Sequence, residues 1–289
     1  MKHLVWIPVS LLASSLLLGG CQREEVNKVD DDTAEQEIAE ENALADQYFE
    51  ELTSITDEGA KGSIDSYRMV GTPASPPEGS IIAATNCVTL THQSNEEGGV
   101  ITIDFGTENC LCKDDRYRRG KIIATYEGTY QTAGTTVTIT LDDYYVNDFH
   151  VEGTKRVINK GENEAGNLWY EVSVQGTITR PDGRQFSHTS THQREWLEGN
   201  STQAWGDDVF GITGNASGVS ARGIVHTTEI EEAIIIKRAC RFPVSGIATF
   251  TREGGLVDRS LTIDYGDGAC DNEAVVTNTR GQSATIMLR

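Results

Sequence analysis

Leu168-Trp169-Tyr170-Glu171-Val172-Ser173-Val174-Gln175-Gly176-Thr177-Ile178-Thr179 alternates apolar and polar residues along most of its length. Leu168, Tyr170, Val172, Val174 and Ile178 fall on one side, with Glu171, Ser173, Gln175 and Thr177 on the other. Successive side chains of a strand point to opposite faces, so a period of two marks a strand with one dry face and one wet one. Working outward, Ile122, Ala124, Tyr126 and Tyr130 alternate with Lys121, Thr125, Glu127 and Gln131. Val137, Ile139 and Leu141 do the same against Thr136, Thr138 and Thr140. Pro181-Asp182-Gly183 supplies hairpin-turn chemistry directly after the first stretch. From about residue 80 to 289 no convincing helical period intervenes. The expectation is an all-β domain: a large antiparallel meander, as one sheet, a sandwich or an open barrel.

Composition agrees. The chain has 29 glycines against 6 prolines and a formal net charge of −20. Such an acidic chain repels nucleic acid and anionic lipid surfaces, which makes nucleic acid a poor partner.

Inside the β domain a motif recurs. Thr102-Ile103-Asp104-Phe105-Gly106 precedes Cys110, and Thr262-Ile263-Asp264-Tyr265-Gly266 precedes Cys270 at the same spacing. Cys87 and Cys240 lie upstream of the respective copies, and Arg119-Gly120 and Arg280-Gly281 lie downstream. These matches predict an internal duplication, with related units near 87–126 and 240–287. The copies favour the pairs Cys87–Cys110 and Cys240–Cys270 with Cys112 left over, while a swapped pairing between copies stays open.

Ahead of the domain, Thr33-Ala34-Glu35-Gln36 has capping-box spacing. Ile38, Ala45, Phe49, Leu52 and Ile55 recur at helical intervals, with Glu37, Glu40, Glu41 and Glu51 around them. The spacing predicts an amphipathic helix over 33–58, its apolar stripe packed on the domain that follows. Residues 21–32 read as an acidic tether and 59–79, with Pro73-Ala74-Ser75-Pro76-Pro77, as a linker.

The first 20 residues carry Lys2, an apolar run from Leu4 to Leu18, and Gly19-Gly20 before Cys21. The run suits a secretory h-region and is short for a membrane span. Leu18-Gly19-Gly20-Cys21 resembles the bacterial lipobox. That resemblance implies cleavage before Cys21 and its lipidation, hence a partner in the membrane itself. Gln22-Arg23-Glu24-Glu25 resembles the short surface-export signal of Bacteroidota lipoproteins. The β domain likewise resembles uncharacterised Bacteroidota lipoproteins, through its two Thr-Ile-Asp-aromatic-Gly units and Arg194-Glu195-Trp196. The implied address is the outer membrane, lipid-anchored and facing the surface; no activity is implied.

Chemistry-bearing patterns are sparse. Asp264, Asp267 and Asp271 among glycines form a weak calcium candidate, without EF-hand spacing. His188 and His192, four apart on a strand, are too distant to share a metal and read as solvent-facing. The doublets Asp142-Asp143 and Asp207-Asp208 invite a glycosidase reading, but neighbours on a strand point to opposite faces. Trp169, Trp196 and Trp205 are candidates for stacking on a sugar ring, Trp169 foremost, because it sits opposite Tyr170 on the polar face. No catalytic residue and no cofactor are expected. The expected role is non-catalytic binding at the cell surface, toward glycan or an outer-membrane protein. A periplasm-facing assembly factor and a carboxylate-dependent hydrolase are the alternatives.

Overall fold

The computed structural model describes residues 23–68, 82, 87–130, 132–202, 206–254 and 259–288, with the backbone alone for 23–35 and 61–68. Cys21 and Trp205 lie outside the described residues, as does most of 59–79 beyond residue 68.

One helix, α1 (Arg23–Arg68), precedes the strands. These are β1 (Thr89–Asn95), β2 (Gly98–Asp104), β3 (Cys110–Leu111), β4 (Tyr117–Glu127), β5 (Thr136–Val146), β6 (Phe149–Glu162) and β7 (Leu168–Thr179). They continue as β8 (Gln185–Glu198), β9 (Val209–Val219), β10 (Val225–Lys237), β11 (Ser245–Arg252), β12 (Arg259–Asp267), β13 (Glu273–Asn278) and β14 (Ser283–Met287). Together they form one open antiparallel sheet in chain order, with β3 attached only to β4. The β7–β8 turn is the expected one: Gly183 has φ +85° and its N–H donates to the Arg180 carbonyl at 2.9 Å.

Alternation sorts the two faces as predicted along the long strands. Ile122 and Ala124 on β4, Ile139 on β5, and Val172, Val174 and Ile178 on β7 are buried. The two Thr-Ile-Asp-aromatic-Gly segments share a local form. Asp104 accepts the Gly106 N–H at 2.8 Å, Asp264 accepts that of Gly266 at 2.9 Å, and Ile103 and Ile263 are buried. The cysteines pair as Cys87–Cys110 and Cys240–Cys270, leaving Cys112 buried as a thiol.

α1 is longer than its sequence predicts. It begins at Arg23, inside the expected tether, and runs past the expected end at residue 58 to Arg68. Thr33 is therefore interior, not a cap. Gly59, which reads as the start of a linker, sits within the helix where a Cβ would come 3.1 Å from Leu90 and Ile101 side-chain carbons. The absence of a side chain lets α1 approach β1 and β2.

The surroundings of α1 explain the shape. Ile38, Ala45, Phe49, Leu52 and Ile55 are all buried, as the periodic stripe predicts. From Tyr48 to Ala60, however, nearly every position is buried, including Glu51, Thr53, Thr56 and Glu58. A helix buried all round must be enclosed rather than laid on a surface. α1 touches β1, β2, β4, β8 and β12, so the sheet curls around it, while among the described residues its edge strands β1 and β14 do not pair with each other. Two apolar clusters result. One joins the second half of the described helix to β1–β8, and the other joins Ile38 and Ala39 to β9–β14.

Candidate ligand cavity

The interior of the curled sheet carries charge, and α1 neutralises it. Glu50 meets Lys155 on β6 at 3.2 Å and Arg194 on β8 at 2.6 Å. Lys155, fully buried, also donates to the Phe49 carbonyl at 2.9 Å. Burial opposes ionisation of Glu50, but the two cations outweigh it and hold the carboxyl at about 2. Burial pulls Lys155 down while Glu50 sustains its charge. Glu51 pairs with Arg116 and Arg118 of the β3–β4 region, and Arg118 also meets Asp114 at 2.7 Å. Arg238 pairs with Glu58 and Asp208, each at 3.5 Å, and Asp57 accepts the Tyr130 hydroxyl at 2.6 Å.

Beside this charged seam lies a cavity of ≈ 760 Å³ between α1 and the concave face of β7–β14. That size falls within the range of small-molecule pockets. β9 contributes Phe210, Ile212 and the small Ala216 to the cavity wall. The far wall is apolar: Ile212, Ile230, Ile234, Ile236, Ala248 and Leu288 line it. The near wall is polar, from His188, Ser190 and His192 on β8 and Thr228 on β10. Exposed Lys113, Asn147, Arg241 and Met287 rim the mouth, where the β3–β4 loop and the β10–β11 loop approach the β14 edge.

Asp46 belongs to this wall. Its carboxylate accepts from Asn42 Nδ2 at 3.2 Å and lies 3.3 Å from His188 Nε2. The Asp46 side chain is 44% exposed, and that exposure opens to the cavity. Burial, then the neighbouring Glu50 charge, raises its carboxyl to about 7. Burial and the charges of His192 and His226 push His188 down to about 3, so the ring is neutral at physiological pH. His192 is lowered to about 4, by burial first and then by Lys155. Burial, then the Asp46 charge, pushes the Tyr265 phenol up. His188 Nδ1 and Thr228 Oγ1 are buried without a hydrogen-bond partner.

The histidines correct the sequence reading. His188 is 2% exposed and both rings line the cavity, because they share parity with inward-facing Phe186 and Arg194. The parity of Phe186 and Trp196 would have revealed this, but the inward face of β8 is itself polar. Trp196 is half-buried, 5.4 Å from Phe210 by ring centroid, on the interior side of β8. Trp169 is half-buried on the outer face, with Lys160 Nζ 5.7 Å from its ring centroid. The calcium candidate does not assemble. Asp264 and Asp271 accept the backbone N–H groups of Gly266 and Glu273, and among the described residues no three His, Cys, Asp or Glu side chains converge as a metal site. Asp208 is buried against Arg238 and Asp207 accepts from Thr202, so that doublet points two ways. Asp142 and Asp143 are exposed.

The fold and cavity define a curled, open antiparallel sheet wrapped on one helix with a large pocket beside it. Compared with protein-family models, with curated proteins and with solved structures, the chain has no match. Two disulfides mark it as an extracytoplasmic protein. No helix among the described residues is long and apolar enough to cross a membrane.

Proposed function

We propose that this is a non-catalytic binding protein of the bacterial outer membrane, anchored through lipidated Cys21, whose ligand is a small molecule with an apolar body. The observation that carries the reading is the ≈ 760 Å³ cavity, apolar on one wall and polar on the other. Protein cores close such spaces, since an unfilled apolar void destabilises the fold. The lipobox-like leader and the two disulfides support the envelope address. An envelope assembly factor would need the helix stripe as a docking surface, and that stripe is enclosed by the sheet.

Binding of a neutral solvatochromic dye to the mature chain tests the reading. Saturable, one-to-one binding that disappears in Ala248→Trp, a variant that fills the cavity, is the expected result. Undiminished dye binding in a folded Ala248→Trp protein would sink it.

A further inference from the structure

Resting on that reading, we infer that the cavity selects a cationic amphiphile, an apolar body carrying an amine, with Asp46 as its counter-ion. Among cationic side chains lining the wall, Arg194 pairs with Glu50, and Arg116 with Glu51. Arg238 pairs with Glu58 and Asp208, and Arg180 with Glu41. The remaining two, Lys113 and Arg241, are exposed at the rim. Lys155 behind the wall is held by Glu50. Past the rim, an incoming carboxylate would thus meet cations already paired, and burying an unpaired anion beside Glu50 is costly.

Asp46 is the complement. It opens to the cavity, and the groups it contacts, Asn42 and His188, are an uncharged amide and a neutral imidazole. Burial and the neighbouring Glu50 charge raise its carboxyl, and the Lys155 charge offsets them only in part. A ligand ammonium supplies the missing charge and forms a charge-assisted hydrogen bond, stronger than one from a hydroxyl. Phe49 and Tyr265 line the same space, and aromatic rings favour a cation beside them, as Arg194 over the Phe210 ring shows. The chain's net charge of −20 also draws cations toward the mouth.

The test titrates the full mature chain at pH 8, below micelle formation, with dodecylamine, 1-dodecanol and laurate. One dodecylamine should bind at least about tenfold tighter than 1-dodecanol, with laurate weakest. Asp46→Asn, which keeps the shape of the side chain, should bring the amine to the level of the alcohol. Ala248→Trp should abolish all three, which separates cavity binding from adsorption of a cation on an acidic surface. If Asp46→Asn does not fold, the wild type still decides, because amine affinity should weaken as pH falls below about 7 and Asp46 takes a proton. Laurate or 1-dodecanol matching the amine, or an amine preference that survives in Asp46→Asn or at low pH, would overturn the assignment. Failure of all three probes would remove the cavity reading as well.

Discussion

At the scale of single residues, the interior titrates in opposing directions. Asp46 is raised to about 7 and His188 lowered to about 3, and they lie 3.3 Å apart. Between the unfolded values of 3.8 and 6.5 the unfolded chain holds one proton on the imidazole, while the folded chain holds one on the carboxyl. The pair therefore contributes little pH dependence in that window. His192 has no such compensation, so the unfolded chain gains a proton below pH 6.5 that the folded chain refuses until about pH 4. Burial lowers His226 too. Stability should fall as pH drops from about 6.5 toward 4, and His192→Gln should flatten that slope in urea titrations at several pH values. Glu50 adds a further loss, its stabilisation present above the unfolded value of 4.5 and gone as pH falls through about 2. Glu50→Gln at neutral pH leaves Lys155 and Arg194 facing each other without an anion, so urea unfolding should show a loss of about 3–5 kcal/mol.

At the scale of elements, the seat of α1 on the sheet is cut by missing side chains. On Gly176 of β7 a Cβ would come 2.1 Å from Phe49 Cζ and 2.9 Å from the Glu152 carbonyl oxygen. The Phe49 ring stacks on His188 at 6.1 Å, filling the notch that Gly176 leaves. Gly176→Ala must push the helix outward, and a loss of more than about 2 kcal/mol is expected by chemical denaturation. Phe49→Ala should lose about 3–5 kcal/mol by emptying the notch. In the double variant the two losses should be less than additive, since each relieves or removes the same contact. A sequence shows Gly176 only as a break in an otherwise regular alternation. The alternation itself made β4, β5 and β7 legible, as did the helical spacing of Ile38 through Ile55. What stayed hidden was the enclosure of α1. Glu41 and Glu51 read as solvent-facing residues because a polar side chain looks the same whether water or an arginine satisfies it. The cavity was hidden for a related reason. It is walled where Ser190 and Thr228 flank Ala216, a juxtaposition set by strand register rather than by local pattern.

At the scale of the whole molecule, an open sheet curled round a helix has two weak ends, since among the described residues β1 and β14 each lack a neighbouring strand on one side. Unpaired strand edges fray and invite intermolecular pairing. The disulfides brace both regions: Cys87 precedes β1 and ties to Cys110 in β3, and Cys240 in the β10–β11 loop ties to Cys270 between β12 and β13. They close chain segments with separations of 23 and 30 residues, for which restriction of the unfolded chain is worth about 3 kcal/mol each. Their effects on binding should differ, because Cys240 lines the cavity and Cys87 does not. Cys87→Ser/Cys110→Ser should lower the thermal midpoint with ligand-probe affinity intact in the folded protein. Cys240→Ser/Cys270→Ser should lower the midpoint by a similar amount and also weaken probe binding, because the β10–β11 loop at the mouth loses its tie to the sheet. Thermal melts and dye titrations on the two double variants measure both quantities. Equal loss of affinity in the two would mean that the bridges act through global stability alone, and that the loop between Arg238 and Pro243 does not shape the mouth.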